Sequence, residues 1–182
     1  MGNVIGSIEA EYQRYRKLGE GAIGQLGDAE LCRKPDGGGN SIATIVWHLA
    51  GNLESRFTDF LSTDGEKPWR DRESEFLPRE VTAAEVTSKW SKGWQALFSA
   101  LKGLTGSQLD SMVVIRGQQL GVFDALLRSL SHTAFHVGQI VFFAKSMRGA
   151  TWDYLTIPPG QSSSYNQNPT MERAPRDLSR KS

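Results

Sequence analysis

Four stretches of this chain place apolar residues three or four positions apart, the spacing that gathers them on one side of an α-helix. They cover about residues 3–26, 42–62, 83–104 and 121–147. Each such helix must bury its apolar side, and four of them can do so against one another. The pattern therefore predicts an all-α fold, a four-helix bundle.

Local signals set the ends of these helices. Asn40 or Ser41 is suited to cap the start of the second helix. Thr82 followed three positions later by Glu85 has the pattern of a capping box at the start of the third. The fourth helix is apolar around most of its circumference from Phe135 onward, which predicts that it is the most buried of the four.

The connection between the second and third helices lacks a sustained periodic spacing of apolar residues. Pro68 and Pro78 bracket a charged, aromatic segment over residues 69–76, and its tryptophan and phenylalanine favour a long ordered loop. Residues 111–119 are short and β-branched enough for a small strand or hairpin arm. We predict one domain over residues 1–166 and a disordered, Ser-, Asn- and Arg-rich tail over residues 167–182.

Composition excludes several classes of function for this chain. The chain has 21 Lys and Arg residues against 20 Asp and Glu, without a long basic run, so nucleic acid and acidic membrane surfaces are not expected as partners. Cys32 is the single cysteine, which excludes an internal disulfide and a cysteine-based zinc finger. Without a targeting segment or a membrane-spanning run, the protein is expected in the cytoplasm.

The three histidines carry the most specific chemical signal. His132 and His136 lie four residues apart, so on a helix their rings are about 40° apart around the axis and one turn apart along it. Two such rings can share one metal ion. His48 lies in the second helix, so a three-histidine site must be assembled by folding. Three neutral imidazoles with an open position are typical of a catalytic zinc, nickel or iron centre.

A plainer interpretation exists, because most histidine pairs in helices are unrelated residues. On a helical wheel His132 and His136 lie at the border of the apolar stripe, where a cleft would form, but His48 lies about 140° from the stripe of its own helix. Taken alone, His48 is a surface residue. The two observations agree if the site opens on the outside of the bundle, between the second and fourth helices, with residues 69–76 as a cover.

Other chemistries have weaker support. The Glu-x-x-His pairs of a di-iron bundle, a Gly-rich phosphate loop and a Gly-x-Ser-x-Gly motif are all missing from the sequence. Gln139, three residues beyond His136, either supports a metal ligand by a hydrogen bond or bridges to another helix.

The two histidine elements together resemble a known superfamily. Residues 41–50 with His48, combined with His132-x-x-x-His136-x-Gly-Gln139, are similar to the DinB-like (DinB/YfiT-like) metalloenzymes. Within that superfamily, residues 69–76 and 152–166 resemble the branch called DUF1572. The resemblance covers about residues 1–166.

The resemblance implies an up-down-down-up bundle, a homodimer, and one divalent metal such as nickel, zinc or iron held by His48, His132 and His136. Characterised relatives in other branches are S-transferases and isomerases that use low-molecular-weight thiols such as bacillithiol, mycothiol or glutathione. The DUF1572 branch itself brings no activity and no catalytic residue that can be transferred.

The expected function is therefore a metal-dependent thiol S-transferase that acts on a small electrophile. Arg70 and Arg72 are candidates to bind the carboxylates of the thiol, although pairing with Asp71 and Glu73 in a solvated loop is the simpler interpretation. A metal-dependent hydrolase and a stress-induced, non-catalytic binding or dimerisation protein are the alternatives.

Overall fold

The computed structural model describes residues 4–172, and most of this part of the chain is helical. The helices are α1 (Val4–Ile23), α2 (Asp28–Cys32), α3 (Ile42–Phe57), α4 (Ala83–Lys102), α5 (Val122–Arg148) and α6 (Ser162–Gln167). The strands β1 (Met112–Ile115) and β2 (Gln118–Gly121) form an antiparallel hairpin between α4 and α5. The predicted helical class and the predicted hairpin are both confirmed.

The four long helices pack in pairs around one apolar core. α3 lies along α4, α1 lies along α5, and further contacts join α1 to α4 and α3 to α5. Gly93 allows the close approach of α3 and α4, because an added Cβ would lie 2.6 Å from the Ala50 Cα atom. Tyr12 of α1 is fully buried and donates a 3.0 Å hydrogen bond to the Leu126 carbonyl of α5.

Two expectations about the helices are wrong. α3 ends at Phe57, five residues before the predicted end, because Asp59 adopts a left-handed φ of 49° and its carbonyl accepts the amide of Thr63 at 3.1 Å. α5 is not the most buried helix, since Phe135 and Phe142 are 62% and 77% exposed. Its apolar residues surround the axis, but neighbouring elements cover one side of it.

The connection between α3 and α4 is ordered, as predicted. Residues Glu73–Phe76 form a 3-10 turn that contacts α3. Arg79 fixes the end of this turn: its guanidinium donates 2.8 Å hydrogen bonds to the carbonyls of Ser74 and Glu75. The same guanidinium lies 4.6 Å from the centre of the Trp47 ring on α3. The turn is therefore held against the outer side of α3, over the position of His48.

The hairpin is tied to the same connection. Its turn consists of Arg116 and Gly117, both with a left-handed φ (54° and 71°). The Asp64 carboxylate accepts the amides of Arg116 and Gly117 at 2.8 and 2.7 Å and that of Glu66 at 2.7 Å. These backbone hydrogen bonds, chiefly from Glu66 and Gly117, hold the pKa of Asp64 below its usual range. The hairpin and the chain after α3 thus form one wall beside α5.

The caps agree with the sequence. The Ser41 hydroxyl accepts the amide of Thr44 at 3.1 Å, and Thr82 and Glu85 form the predicted capping box.

Of the predicted tail, the described part folds back so that the Tyr165 hydroxyl accepts the amide of Met171 at 2.7 Å; residues 173–182 lie outside the described residues. Within residues 4–172, none of the helices combines the length and apolar character needed to cross a membrane.

Candidate metal centre

The three imidazoles converge between α3 and α5. Nε2 of His132 lies 3.3 Å from Nε2 of His48 and 3.1 Å from Nε2 of His136. One ring nitrogen from each histidine lies within 4.8 Å of the other two. Ligands at about 2.05 Å around a tetrahedral ion are about 3.4 Å apart. The spacing of the two shorter pairs is thus close to what a single first-row ion requires.

His132 and His136 are in the protonation state that a metal requires. Burial, followed by the nearby His136 and His48, lowers the pKa of His132 to about 4. Burial also lowers the pKa of His136, partly opposed by the hydrogen bond with Gln139. Both imidazoles are therefore neutral at pH 7, and neutral imidazole is the ligating form.

Hydrogen bonds at the opposite ring nitrogens orient two of the three imidazoles. Nδ1 of His48 donates to Oε2 of Glu75 at 2.9 Å, and Nδ1 of His136 donates to Oε1 of Gln139 at 2.9 Å. With Nδ1 protonated, the lone pair lies on Nε2 and faces the other rings. Nδ1 of His132 is buried and has no hydrogen-bond partner among the described residues.

Glu75 was not singled out from the sequence, yet it is the most heavily bonded carboxylate of the site. Arg70 donates to its Oε1 at 2.7 Å and to its Oε2 at 2.9 Å, and a third hydrogen bond joins Arg70 to the Ser55 hydroxyl at 3.1 Å. Burial alone would raise the pKa of Glu75, but the hydrogen bonds from His48 and Arg70 hold it below its usual value. Arg70 therefore positions Glu75, and its side chain, 2% exposed, is occupied by that carboxylate.

Phe76 completes the cover over His48. Its ring centre lies 4.8 Å from that of His48, and His48 is 6% exposed in consequence. The helical wheel correctly placed His48 away from the core stripe, and the 3-10 turn buries it there, as the cover hypothesis required. Arg72, the other arginine proposed from the sequence, pairs with Glu73 at 3.0 Å and lies over the Phe76 ring.

Gly51 makes room for Glu75 on α3. An added Cβ at this position would overlap Oε1 of Glu75. A residue with a side chain would therefore force the carboxylate, or the whole 3-10 turn, away from His48.

We expect Gly51→Ala to weaken metal binding about tenfold or more, because the carboxylate that orients His48 is displaced. Gly106→Ala is the matched control, since an added Cβ there meets no atom within 4 Å and the residue lies in a 3-10 turn after α4, away from the histidines. Competition against a chromophoric chelator measures both affinities. Equal affinities for the two variants would contradict the role given to Gly51.

A cavity of about 520 Å³ opens beside the site, and His48 and His132 both contribute to its wall. This volume is within the usual range for small-molecule sites. A larger groove of about 730 Å³ between α2 and the chain before α4 contains Cys32 but none of the histidines. The Cys32 sulfur accepts the amide of Val81 at 3.4 Å.

A family model described as "Protein of unknown function (DUF1572)" matches residues 3–161. The chain belongs to the DUF1572 family. The matched region contains the three histidines, Glu75, and both arginines proposed from the sequence, and the predicted branch is thereby confirmed. A comparison with curated proteins gives no match.

The histidine pKa values predict how the metal-free DUF1572 protein responds to acid. Below pH 6.5 the unfolded chain binds a proton at His132, whereas the folded chain binds it only near pH 4, so acidification across this range favours unfolding. Relative to His132→Gln, the wild type should therefore lose free energy of unfolding as the pH falls from 6.5 to 4. Urea unfolding at several pH values measures this difference. A difference that stays constant over the range would contradict it.

Proposed function

We propose that this DUF1572 protein is a divalent-metal-dependent enzyme of the DinB-like superfamily, with zinc, nickel or iron held by His48, His132 and His136. The observation that carries the proposal is the convergence of three imidazoles from two helices: Nε2 of His132 lies 3.3 and 3.1 Å from those of His48 and His136, and all three ligand atoms lie within 4.8 Å of one another. The four long helices are then the four-helix bundle of that superfamily. A site built from three protein ligands leaves coordination positions for a substrate.

The reaction we favour is transfer of a low-molecular-weight thiol to a small electrophile. A bound divalent ion supplies the positive charge that ionises a coordinated thiol at neutral pH. The protein orients the site: Glu75 fixes the tautomer of His48, and Arg70 fixes Glu75. Phe76 excludes water from the outer side of His48, while the adjacent cavity admits the reactants. Such thiols belong to a reducing cytoplasm. A chain with one cysteine cannot form an internal disulfide, which fits that compartment.

The lining of the cavity favours thiol transfer over hydrolysis. A metal-dependent hydrolase usually activates its water with a carboxylate placed as general base, as in the His-Glu-x-x-His enzymes. Among the described residues that line the cavity there is no Asp or Glu. Glu75 is already engaged by both Arg70 and His48.

The test uses the full-length protein loaded in turn with zinc, nickel and ferrous iron. We expect metal-dependent consumption of chlorodinitrobenzene in the presence of bacillithiol, mycothiol or glutathione, and its loss in His132→Ala. Turnover of nitrophenyl esters without thiol would select the hydrolase instead. A metal-loaded protein that turns over neither would favour a binding or dimerisation module.

We also propose that the protein is a homodimer that pairs through α5. Phe123, Leu127, Phe135 and Phe142 are exposed on this helix, and their spacing places them within about 120° around its axis. Phe135 also contacts the His136 ring, at 5.1 Å between centres. A partner on this face would thus cover apolar surface next to the histidines.

Phe142→Glu is expected to convert the dimer to a monomer, because a charge would be buried within the interface. Leu77→Glu is the matched control, since Leu77 is similarly exposed but lies in the connection between α3 and α4. Light scattering after size exclusion measures the mass of each. A monomeric wild type, or a Phe142→Glu protein that remains dimeric, would overturn this assembly.

A further inference from the structure

The cavity beside His48 and His132 is lined by an unusual number of arginines. Five contribute to its wall: Arg56, Arg70, Arg72, Arg116 and Arg128. They come from α3, the following connection, the hairpin turn and α5, so folding brings them together from four parts of the chain. No carboxylate is among the described lining residues, and a wall of this composition attracts anions.

Two of the five arginines are already neutralised. Arg70 forms its bidentate pair with Glu75, and Arg72 pairs with Glu73. These two therefore shape the wall but are not available for a ligand.

The other three carry excess charge. Arg56 and Arg116 share a single carboxylate, Glu66, at 3.4 and 2.8 Å. Arg128 is exposed on α5 and makes no ion pair or hydrogen bond with the described residues. Three guanidinium groups thus share two nearby carboxylates, those of Glu66 and Asp64, which leaves one positive charge in excess at the cavity. The crowding is also visible at Arg56, whose pKa is lowered by burial and, with Glu66 opposing, by Arg70 and Arg116.

The position of Arg116 is conformationally unfavourable. It occupies the first position of the hairpin turn with a φ of 54°, where glycine or asparagine is usual. Asp64 holds this backbone in place through the amides of Arg116 and Gly117. Strained residues of this kind concentrate at functional sites, and here the strained residue adds a guanidinium to the cavity wall.

The cavity also has an apolar part. Phe57, Phe60, Ile115 and Leu120 line it together with the arginines. A ligand that satisfies both parts has an apolar body and an anionic group.

We propose that the cavity binds a small molecule with an apolar body and a carboxylate or phosphate group, and that Arg56, Arg116 and Arg128 bind the anionic group. Guanidinium forks match both of these anions bidentately. The identification of this ligand as the electrophile of the thiol transfer rests on the proposed function, because His48 and His132 line the same cavity. The binding itself does not depend on a metal.

Isothermal titration of the full-length protein with phenylphosphonate and with phenylacetate, at pH 7.5, tests this. We expect binding of at least one probe to both the zinc-loaded and the metal-free protein, so that direct ligation of the metal is not its source. Benzyl alcohol, which lacks the charge, should bind at least about tenfold more weakly. The tighter of the two anions then identifies the phosphate or the carboxylate class.

Arg128→Gln and Arg116→Gln should each weaken binding about ten- to a hundredfold, because each removes a charged hydrogen-bond donor. Arg14→Gln, which makes the same change in net charge outside the cavity, should bind as the wild type does. Arg128 is exposed and unpaired among the described residues, so its replacement should leave the fold intact, as circular dichroism would show. Arg128→Lys should recover part of the affinity.

The outcomes separate this inference from the proposed function. Anion binding that survives in His132→Ala supports the inference even if the protein holds no metal. Failure of both probes in both forms, or equal affinity for wild type and Arg128→Gln, overturns the inference, while metal binding and thiol transfer would be unaffected.

Discussion

The His132→Ala protein is expected to lose its metal. His132 is the central imidazole of the three, since its Nε2 lies within 3.3 Å of both other Nε2 atoms. Its removal leaves two imidazoles that belong to different helices. We expect affinity for zinc to fall at least about a hundredfold, because removing a ligand costs more than removing a partner that only orients one.

Ser131→Ala is the matched control for this change. Ser131 is the preceding residue on α5, is exposed, and bonds only to the Leu127 carbonyl of its own helix. Elemental analysis after dialysis should find about one zinc per chain in the wild type and the control, and little in His132→Ala. Equal zinc in all three proteins would show that the metal binds elsewhere.

The second large effect is expected at Glu75. Glu75→Ala removes the acceptor of His48 Nδ1, which should weaken zinc binding about 10- to 100-fold. It also leaves the Arg70 guanidinium, 2% exposed, without its carboxylate. Breaking a buried pair from one side costs about 3–5 kcal/mol, so we expect a loss of that order in the free energy of unfolding.

Two further variants identify the cause. Glu73→Ala removes an exposed carboxylate from the same turn and should change stability by less than about 1 kcal/mol. The double variant Arg70→Met, Glu75→Ala should regain much of the lost stability, because no buried charge is left unpaired, but it should not regain the zinc affinity. Urea unfolding and chelator competition measure these two quantities. Similar behaviour of Glu73→Ala and Glu75→Ala would contradict the arrangement described.

The sequence predicts the parts of this structure that depend on local signals. The caps at Ser41 and Thr82 rely on a side chain and an amide three residues apart; the sequence places the cap at Thr82 and leaves the other between Asn40 and Ser41, of which the structure uses Ser41. The His132 and His136 spacing fixes their common side on any helix. The early end of α3 was missed, because the left-handed turn at Asp59 interrupts a spacing of apolar residues that continues to Phe60.

The features of the structure that the sequence does not predict depend on contacts between distant segments. Residues 69–76 contain Asp71, Glu73 and Glu75, and the sequence does not indicate which carboxylate turns inward. Glu75 does so because Gly51 provides the space on α3 and Arg70 folds back onto it. For the same reason, a helical wheel assigns His48 to the polar side of α3 but does not predict that Phe76 buries it. Because a ligating imidazole often donates its other N–H to a carboxylate, these three acids of the covering segment are candidates for that role, but the sequence does not choose among them.

The most direct test of the site is X-ray absorption at the zinc edge of the zinc-loaded, full-length protein. If His48, His132 and His136 hold the ion, the spectrum should show three imidazole nitrogens at about 2.0–2.1 Å together with one or more oxygen scatterers from an exchangeable ligand. The His48→Ala protein should then lose one of the three. A wild-type spectrum with one imidazole or none, or with sulfur at about 2.3 Å, would contradict the three-histidine centre.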